Sequence, residues 1–269
     1  MSNEDIAKQL IASRLDYELG LRDDIKEEVI KAFHKLCAIG YSGAVTPLDF
    51  QFNKLGNKDE VNAIIDDLVA WLYEEEISTC NNVIEEVSDT YDTPIPFLAE
   101  DYINQESYDK TLKERMRLYS NRFKYEAEAW IASGLLLDIP MADVESQFNA
   151  FMDKPYNNPI FNKASKIRGA KATRLLSKGK SYGVGKYVSS VSSLMRLARA
   201  IVADTFRRAQ FYSFRSMGII GFYVYRGSSY PCSLCDSMVG YHDFIYAELP
   251  PYHNNCVCYV VPVFANSLE

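Results

Sequence analysis

The chain has 269 residues, 36 acids against 29 Lys and Arg for a net charge of −7, and is 48% hydrophobic and 24% charged. These values fit a folded globular protein with room for one large or two ordinary domains, and they exclude wholesale disorder and collagen-like repetition. No apolar run reaches the roughly 18 residues of a membrane-spanning helix.

The opening "MSNEDIAKQLIASRLDYELG" carries acids early and lacks an apolar core segment, so no signal peptide is predicted. The expectation is a reducing cytoplasm, where closely spaced cysteines hold metal more often than they form disulfides. Apolar residues at Ile6, Leu10, Ile11 and Leu15 predict a first helix with Gly20 as its stop. "RDDIKEEVIKAFHKLCAIG" predicts a second helix that begins with acids and ends at Gly40. "NKDEVNAIIDDLVAWLYEEEISTCNNVIEEVSDTY" predicts a third, long helix. Cys37 and Cys80 stand alone on these helices and read as small core residues, and His34, also alone, reads as a surface or core residue rather than a ligand. The run Glu74–Glu76 reads as a solvated helix face.

Two prolines in "DTPIPF" (92–97) break the pattern. A basic, aromatic helix is expected over 108–136, and a short one after Pro140. The stretch 156–190 is turn-rich, basic and rich in Ser and Gly, and predicts short helix mixed with loop. A strong helix over about 188–218 follows, with serines at its start and Gly218 at its end. "IIGFYVYRGS" and "VCYVVPVF" predict two strands flanking a cysteine-rich segment. The fold class expected is mainly α, a multi-helix body with a small C-terminal antiparallel β element clamped by a zinc site.

Charge is unevenly placed. Residues 1–110 hold 24 acids and 9 bases, leaving 12 acids and 20 bases in 111–269. Between Asp153 and Asp204 lie eleven Lys or Arg and no acid. Lys163, Lys166, Arg168, Lys171, Arg174, Lys178, Lys180 and Lys186 are therefore candidate contacts to DNA phosphates or an acidic partner surface; the plainer reading is a solvated basic face paired with the acidic half.

Four of the six cysteines and one of the three histidines form the pattern Cys232-x2-Cys235-x17-His253-x2-Cys256-x-Cys258. Two cysteines three apart can turn both thiolates toward one ion, and a second pair across a loop completes the tetrahedron that structural zinc prefers. The expected ligands are Cys232, Cys235, His253 and Cys256, with Cys258 the alternative fourth and His242 a weaker candidate. Disulfides are the alternative if the protein works outside the cell. "PCSLC" also matches half of the zinc-deaminase signature, but the His-x-Glu half is absent, since Lys35 and Leu36 follow the sole upstream histidine, His34. "SKGKSYGVGKY" fails the phosphate-loop spacing, and no Ser-His-Asp set can be assembled. No catalytic residue and no enzymatic activity are expected.

The same residues resemble the C-terminal part of phage head-morphogenesis proteins, the minor capsid family typified by the phage Mu F protein. The resemblance rests on a helix with Arg196, Arg199, Asp204 and Arg207, the strand "GFYVYRGS", the pair Cys232 and Cys235 followed by Gly240, and the closing string from Pro250 to Cys258. It is specific over about 195–263 and divides the chain into an acidic helical region, 1–110, and a Mu F-like domain, 111–269, with its β element from about 220. It implies a non-enzymatic minor component of a tailed-phage head. Such a protein is made in the host cytoplasm beside the portal and coat or scaffold proteins, associates with the portal, and is packaged or ejected with DNA in some cases. The alternatives are a toxin or enzyme carrying such a domain, and a basic nucleic-acid-binding module using 154–199.

Overall fold

A computed structural model describes residues 2–43, 50–107, 109–155, 158–168, 189–253 and 255–265. Among these residues are eight α-helices: α1 (Asn3–Ser42), α2 (Lys58–Tyr91), α3 (Ala99–Ile103), α4 (Leu112–Leu136), α5 (Met141–Phe151), α6 (Pro159–Arg168), α7 (Ser190–Met217) and α8 (Ser233–Ser237). Strands β1 (Glu106–Ser107) and β2 (Lys110–Thr111) form a small hairpin, and β3 (Gly221–Tyr225), β4 (Gly240–Asp243) and β5 (Tyr259–Val263) form an antiparallel sheet in the order β4-β3-β5. The protein is mainly α with a small C-terminal sheet, as its periodicity predicts.

The chain forms two compact units: Met1–Arg22 with Glu75–Gln105 and Ala198–Glu269, and Asp23–Glu74 with Glu106–Leu197. They interleave along the chain because α1, α2 and α7 each contribute residues to both, whereas the division expected near residue 110 follows charge and composition.

Gly20 does not stop the first helix. The helix α1 continues to Ser42, and the two helices expected here are one. A lone glycine costs about 1 kcal/mol relative to Ala, and the apolar face resumes directly with Leu21, Ile25 and Val29, all buried, which offsets that cost. The start of α1 is held by a reciprocal cap: the Asp5 amide donates to Ser2 Oγ, and the Ser2 amide donates to the Asp5 carboxylate.

In the unit built on Asp23–Glu74 and Glu106–Leu197, the core is aromatic. Phe33 stacks on Phe148 at 3.8 Å, and Trp130 meets Phe148 and Phe161 edge-on at 5.8 and 4.6 Å. Gly40 lies inside α1, and a Cβ there would collide with the Ile131 side chain, so glycine serves close helix packing rather than termination. Thr111 and Glu114 cap α4 reciprocally. At the start of α7 the buried Glu126 accepts from the Ser190 amide at 2.8 Å and from its hydroxyl, placing a carboxylate where the helix dipole favours one.

In the other unit, α2 ends at Tyr91, immediately before the proline-bearing segment. The last turn of α7 closes on Gly218, φ +66°: the Ile219 amide donates to the Phe214 carbonyl, and the Ile220 amide then joins Val263 of β5. This turn sends the chain straight from helix into sheet. Phe222, Val224 and Val260 on the inner face pack with Phe214, Ile219 and Leu249, and with Cys235, Cys256 and Cys258. The metal-type cysteines are therefore part of the hydrophobic core of this element. Strand β4, between the two expected strands, pairs with β3 from Gly221↔Asp243 to Val224↔Gly240.

The Glu74–Glu76 run is not a uniformly solvated face. Glu74 is exposed, but Glu76 is 1% exposed, with Oε2 lacking a hydrogen-bond partner. Burial pushes its carboxyl up to about 8, with Glu75 adding to the rise.

Candidate metal centre

Helix α8 presents the first pair. Cys232 caps it, with Sγ accepting from the Cys235 amide at 3.5 Å, while the Asp236 amide donates to the Cys232 carbonyl at 2.8 Å. The amide of Cys235, then its side chain, hold the Cys232 thiol below its usual range. Burial pushes the Cys235 thiol up, and its neighbours Cys232, Cys258 and Cys256 add to the shift. A metal ion reverses this logic by stabilising thiolates outright.

His253 comes from the loop before β5. Its Nε2 lies 3.3 Å from Cys232 Sγ and 3.0 Å from Cys235 Sγ, and its Nδ1 accepts from the Asn255 amide at 3.3 Å. An ion on Nε2 requires the neutral ring's proton on Nδ1, so the ring would then give up the Asn255 bond. Cys235 Sγ lies 3.8 Å from Cys256 Sγ. The ligand atoms fall into two triads, Cys232–Cys235–His253 and Cys235–Cys256–Cys258, each with all its atoms within 4.8 Å of one another. Cys235 is common to both.

Three of the predicted four, Cys232, Cys235 and His253, form one triad, and Cys256 meets it through Cys235. Cys256 and Cys258 stand equally as members of the second triad. His242 is placed otherwise: on β4 its ring stacks on Phe222 at 5.7 Å and its Nε2 meets the Met238 carbonyl at 2.8 Å. Cys37 and Cys80 are buried and apart from the cluster, and Cys80 Sγ accepts from Thr205 Oγ1 at 3.3 Å.

The residues fit an ion. A tetrahedral zinc with Zn–S of about 2.3 Å and Zn–N of about 2.0 Å sets S···S edges of roughly 3.7 Å and S···N edges of roughly 3.5 Å, near the separations found. Tyr252 borders the same cluster: its Oη is buried without a hydrogen-bond partner, and burial pushes the hydroxyl up, with Cys258, Cys256 and Cys235 adding to the rise.

The loop is also held from behind by residues that spacing could not expose. Arg14 of α1, 1% exposed, donates from Nη2 to the Cys256 carbonyl at 2.6 Å. Its Nε lies 3.1 Å from Glu18 Oε1, close but poorly aligned, for neither atom completes a hydrogen bond. Arg199 of α7 donates to Glu18 Oε2 at 2.6 Å and to Asn255 Oδ1 at 2.5 Å. Burial raises the Glu18 carboxyl, and Arg14 and Arg199 pull against that rise. Arg14→Leu would leave Glu18 buried with one partner and the Cys256 carbonyl without its donor. The expected cost is about 3 kcal/mol in urea denaturation, and a loss below about 1 kcal/mol would mean that the loop is held without this network.

Of the other residues in the resemblance, Asp204 is half-buried, which raises its carboxyl, but bonds from Tyr102, Arg207 and Arg208 outweigh that and hold it below its usual range. Arg196 is exposed on α7. Lys163 and Lys166 are exposed on α6, and Arg168 is its last residue; Lys171, Arg174, Lys178, Lys180 and Lys186 lie outside the described residues. No described helix is long and apolar enough to cross a membrane.

Comparison with protein-family models, with curated proteins and with solved structures finds no match.

Proposed function

We propose that the chain is a non-enzymatic minor component of a tailed-phage head, acting beside the portal during head assembly, with a structural zinc ion clamping its C-terminal β element. The observation that carries this reading is the string from Cys232 to Cys258, whose soft ligands converge against the inner face of a three-stranded sheet entered directly from a long arginine-bearing helix. Nitrogen and sulfur donors at these separations suit zinc, and a full set of protein ligands suits a closed, structural site. Three short strands bury little surface, so an ion would supply folding free energy that the sheet lacks.

The partners in this reading are the portal and the coat or scaffold proteins, with DNA met through the basic 154–199 stretch. The protein would be in the host cytoplasm during assembly and in the head afterwards. The charge split suits two unlike partners, with the acidic N-terminal region and the basic stretch facing different surfaces. The test is co-expression with the portal protein encoded beside it. Co-purification, and incorporation into heads, is the expected result. The absence of a neighbouring portal gene, or a chain that separates cleanly from portal and heads at low salt, sinks the reading.

A further inference from the structure

The sheet has a second face that the metal centre does not use. Tyr223 and Tyr225 of β3 and Tyr241 of β4 point outward and are 37–43% exposed. The strand register sets Tyr223 opposite Tyr241 and Tyr225 opposite Tyr259. Successive ring centroids along Tyr241–Tyr223–Tyr225–Tyr259 are 5.5, 6.4 and 5.4 Å apart, so the rings form one row, three of them exposed and Tyr259, 7% exposed, at its covered end. Gly221 belongs to the design of this strip, because the Tyr241 ring lies over it where a Cβ would collide. Packing does not require aromatic residues here: the inner face supplies the core, and outward positions of a small sheet are ordinarily polar.

We propose that this strip is a docking surface for an extended, arginine-bearing segment of a partner protein. Charge complementarity selects that occupant. Asp243 accepts from Tyr241 Oη at 3.1 Å at the exposed end of the row, while at the other end Glu4, which accepts from Tyr259 Oη at 3.2 Å, is already paired with Lys8 at 2.7 Å. From Gly221 to Val263 the chain carries three acids, Asp236, Asp243 and Glu248, and one base, Arg226, which is already held by Asp236 and the Tyr230 carbonyl. The chain also shows the binding mode itself, since Lys8 Nζ sits 5.8 Å from the centroid of Tyr259. Guanidinium groups stack on tyrosine faces more readily than ammonium groups do, and an extended segment presents alternate side chains at the spacing of a strand. Nucleic acid bases also stack on tyrosine, but phosphates would meet the Asp243 carboxylate at the exposed end of this strip. The inference follows from the sheet alone and does not depend on the head-assembly reading.

The test is fluorescence anisotropy of a short labelled peptide alternating arginine with serine, titrated with the full chain. A Tyr223→Leu/Tyr225→Leu variant keeps net charge and apolar surface but loses the two central rings, and it is expected to bind about tenfold more weakly. Tyr223→Phe/Tyr225→Phe keeps the rings and should bind as the natural chain does. Asp243→Asn, which leaves every ring in place, should weaken binding and flatten its salt dependence. Equal binding by the Leu variant, no binding by the natural chain, or tighter binding of an oligothymidine overturns the proposal. So does a dimer of the protein alone that the Leu variant dissolves, for the strip would then meet a second copy.

Discussion

Cys235→Ala is expected to abolish metal binding, whereas Cys258→Ala is expected to retain it. Cys235 alone belongs to both triads, 3.0 Å from His253 Nε2 and 3.8 Å from Cys256 Sγ, so its removal leaves neither group with three donors. Removing Cys258 leaves Cys232, Cys235 and His253 together, with Cys256 at tetrahedral distance from Cys235. Metal content per chain, measured in protein purified without a metal-affinity tag, separates the two. The stability effect should be large, because apparent binding free energies of about 10–16 kcal/mol for structural zinc become folding free energy when the apo site cannot hold itself together. Cys235 is also 3% exposed and packs with Phe222, Val224 and Val260, so the sheet loses its clamp and a core residue at once. A chelator at neutral pH should lower the thermal midpoint of the natural chain and leave that of Cys235→Ala unchanged. A natural chain free of zinc, or a Cys235→Ala chain that binds it equally well, would show the assigned site to be wrong. Loss of metal in Cys258→Ala with retention in Cys256→Ala would give Cys258 the fourth position.

The helices could be read from apolar spacing because a buried helical face repeats every three to four residues, and α2, α5 and α7 fall close to their expected limits. Gly20 misled because a glycine ends a helix only where the buried face also stops, and here Leu21 and Ile25 continue that face. At Gly218 the same residue type does end a helix, since the chain must turn at once to pair Ile220 with Val263. Strand β4 escaped notice because Gly240, Tyr241, His242 and Asp243 carry no β-branched residue and only a weak alternation. The ligand string stood out because cysteine and histidine are scarce in this chain and closely spaced in the string. Its support did not, because Arg14 and Cys256 are 242 positions apart and nothing in "IASRLDYEL" distinguishes Arg14 from a solvated arginine. The outward tyrosines were visible only as composition until strand register placed four of them in one row.

Glu76→Gln should make stability less dependent on pH, with a gain over the natural chain that grows as pH rises. The Glu76 carboxyl is buried in α2, Oε2 has no partner, and burial lifts it from 4.5 to about 8. Glu75 adjoins it, and Cys80 lies one turn on, its own thiol pushed up by burial and by Glu76. The sign comes from proton counting. Below about pH 4.5 the carboxyl is protonated in both folded and unfolded chains, and the site contributes no pH dependence. Between there and about pH 8 the unfolded chain has released the proton and the folded chain retains it, so stability falls as pH rises. Above about pH 8 both states are ionised, and the full cost of a buried, unpaired carboxylate remains. Gln keeps the shape and cannot ionise, so whatever its offset in acid, its stability relative to the natural chain should rise by roughly 4 kcal/mol from pH 4.5 to pH 8. Urea denaturation across that range reads the difference. Parallel curves for the two proteins would mean that water or a cation reaches Glu76 in solution and that its carboxyl ionises there.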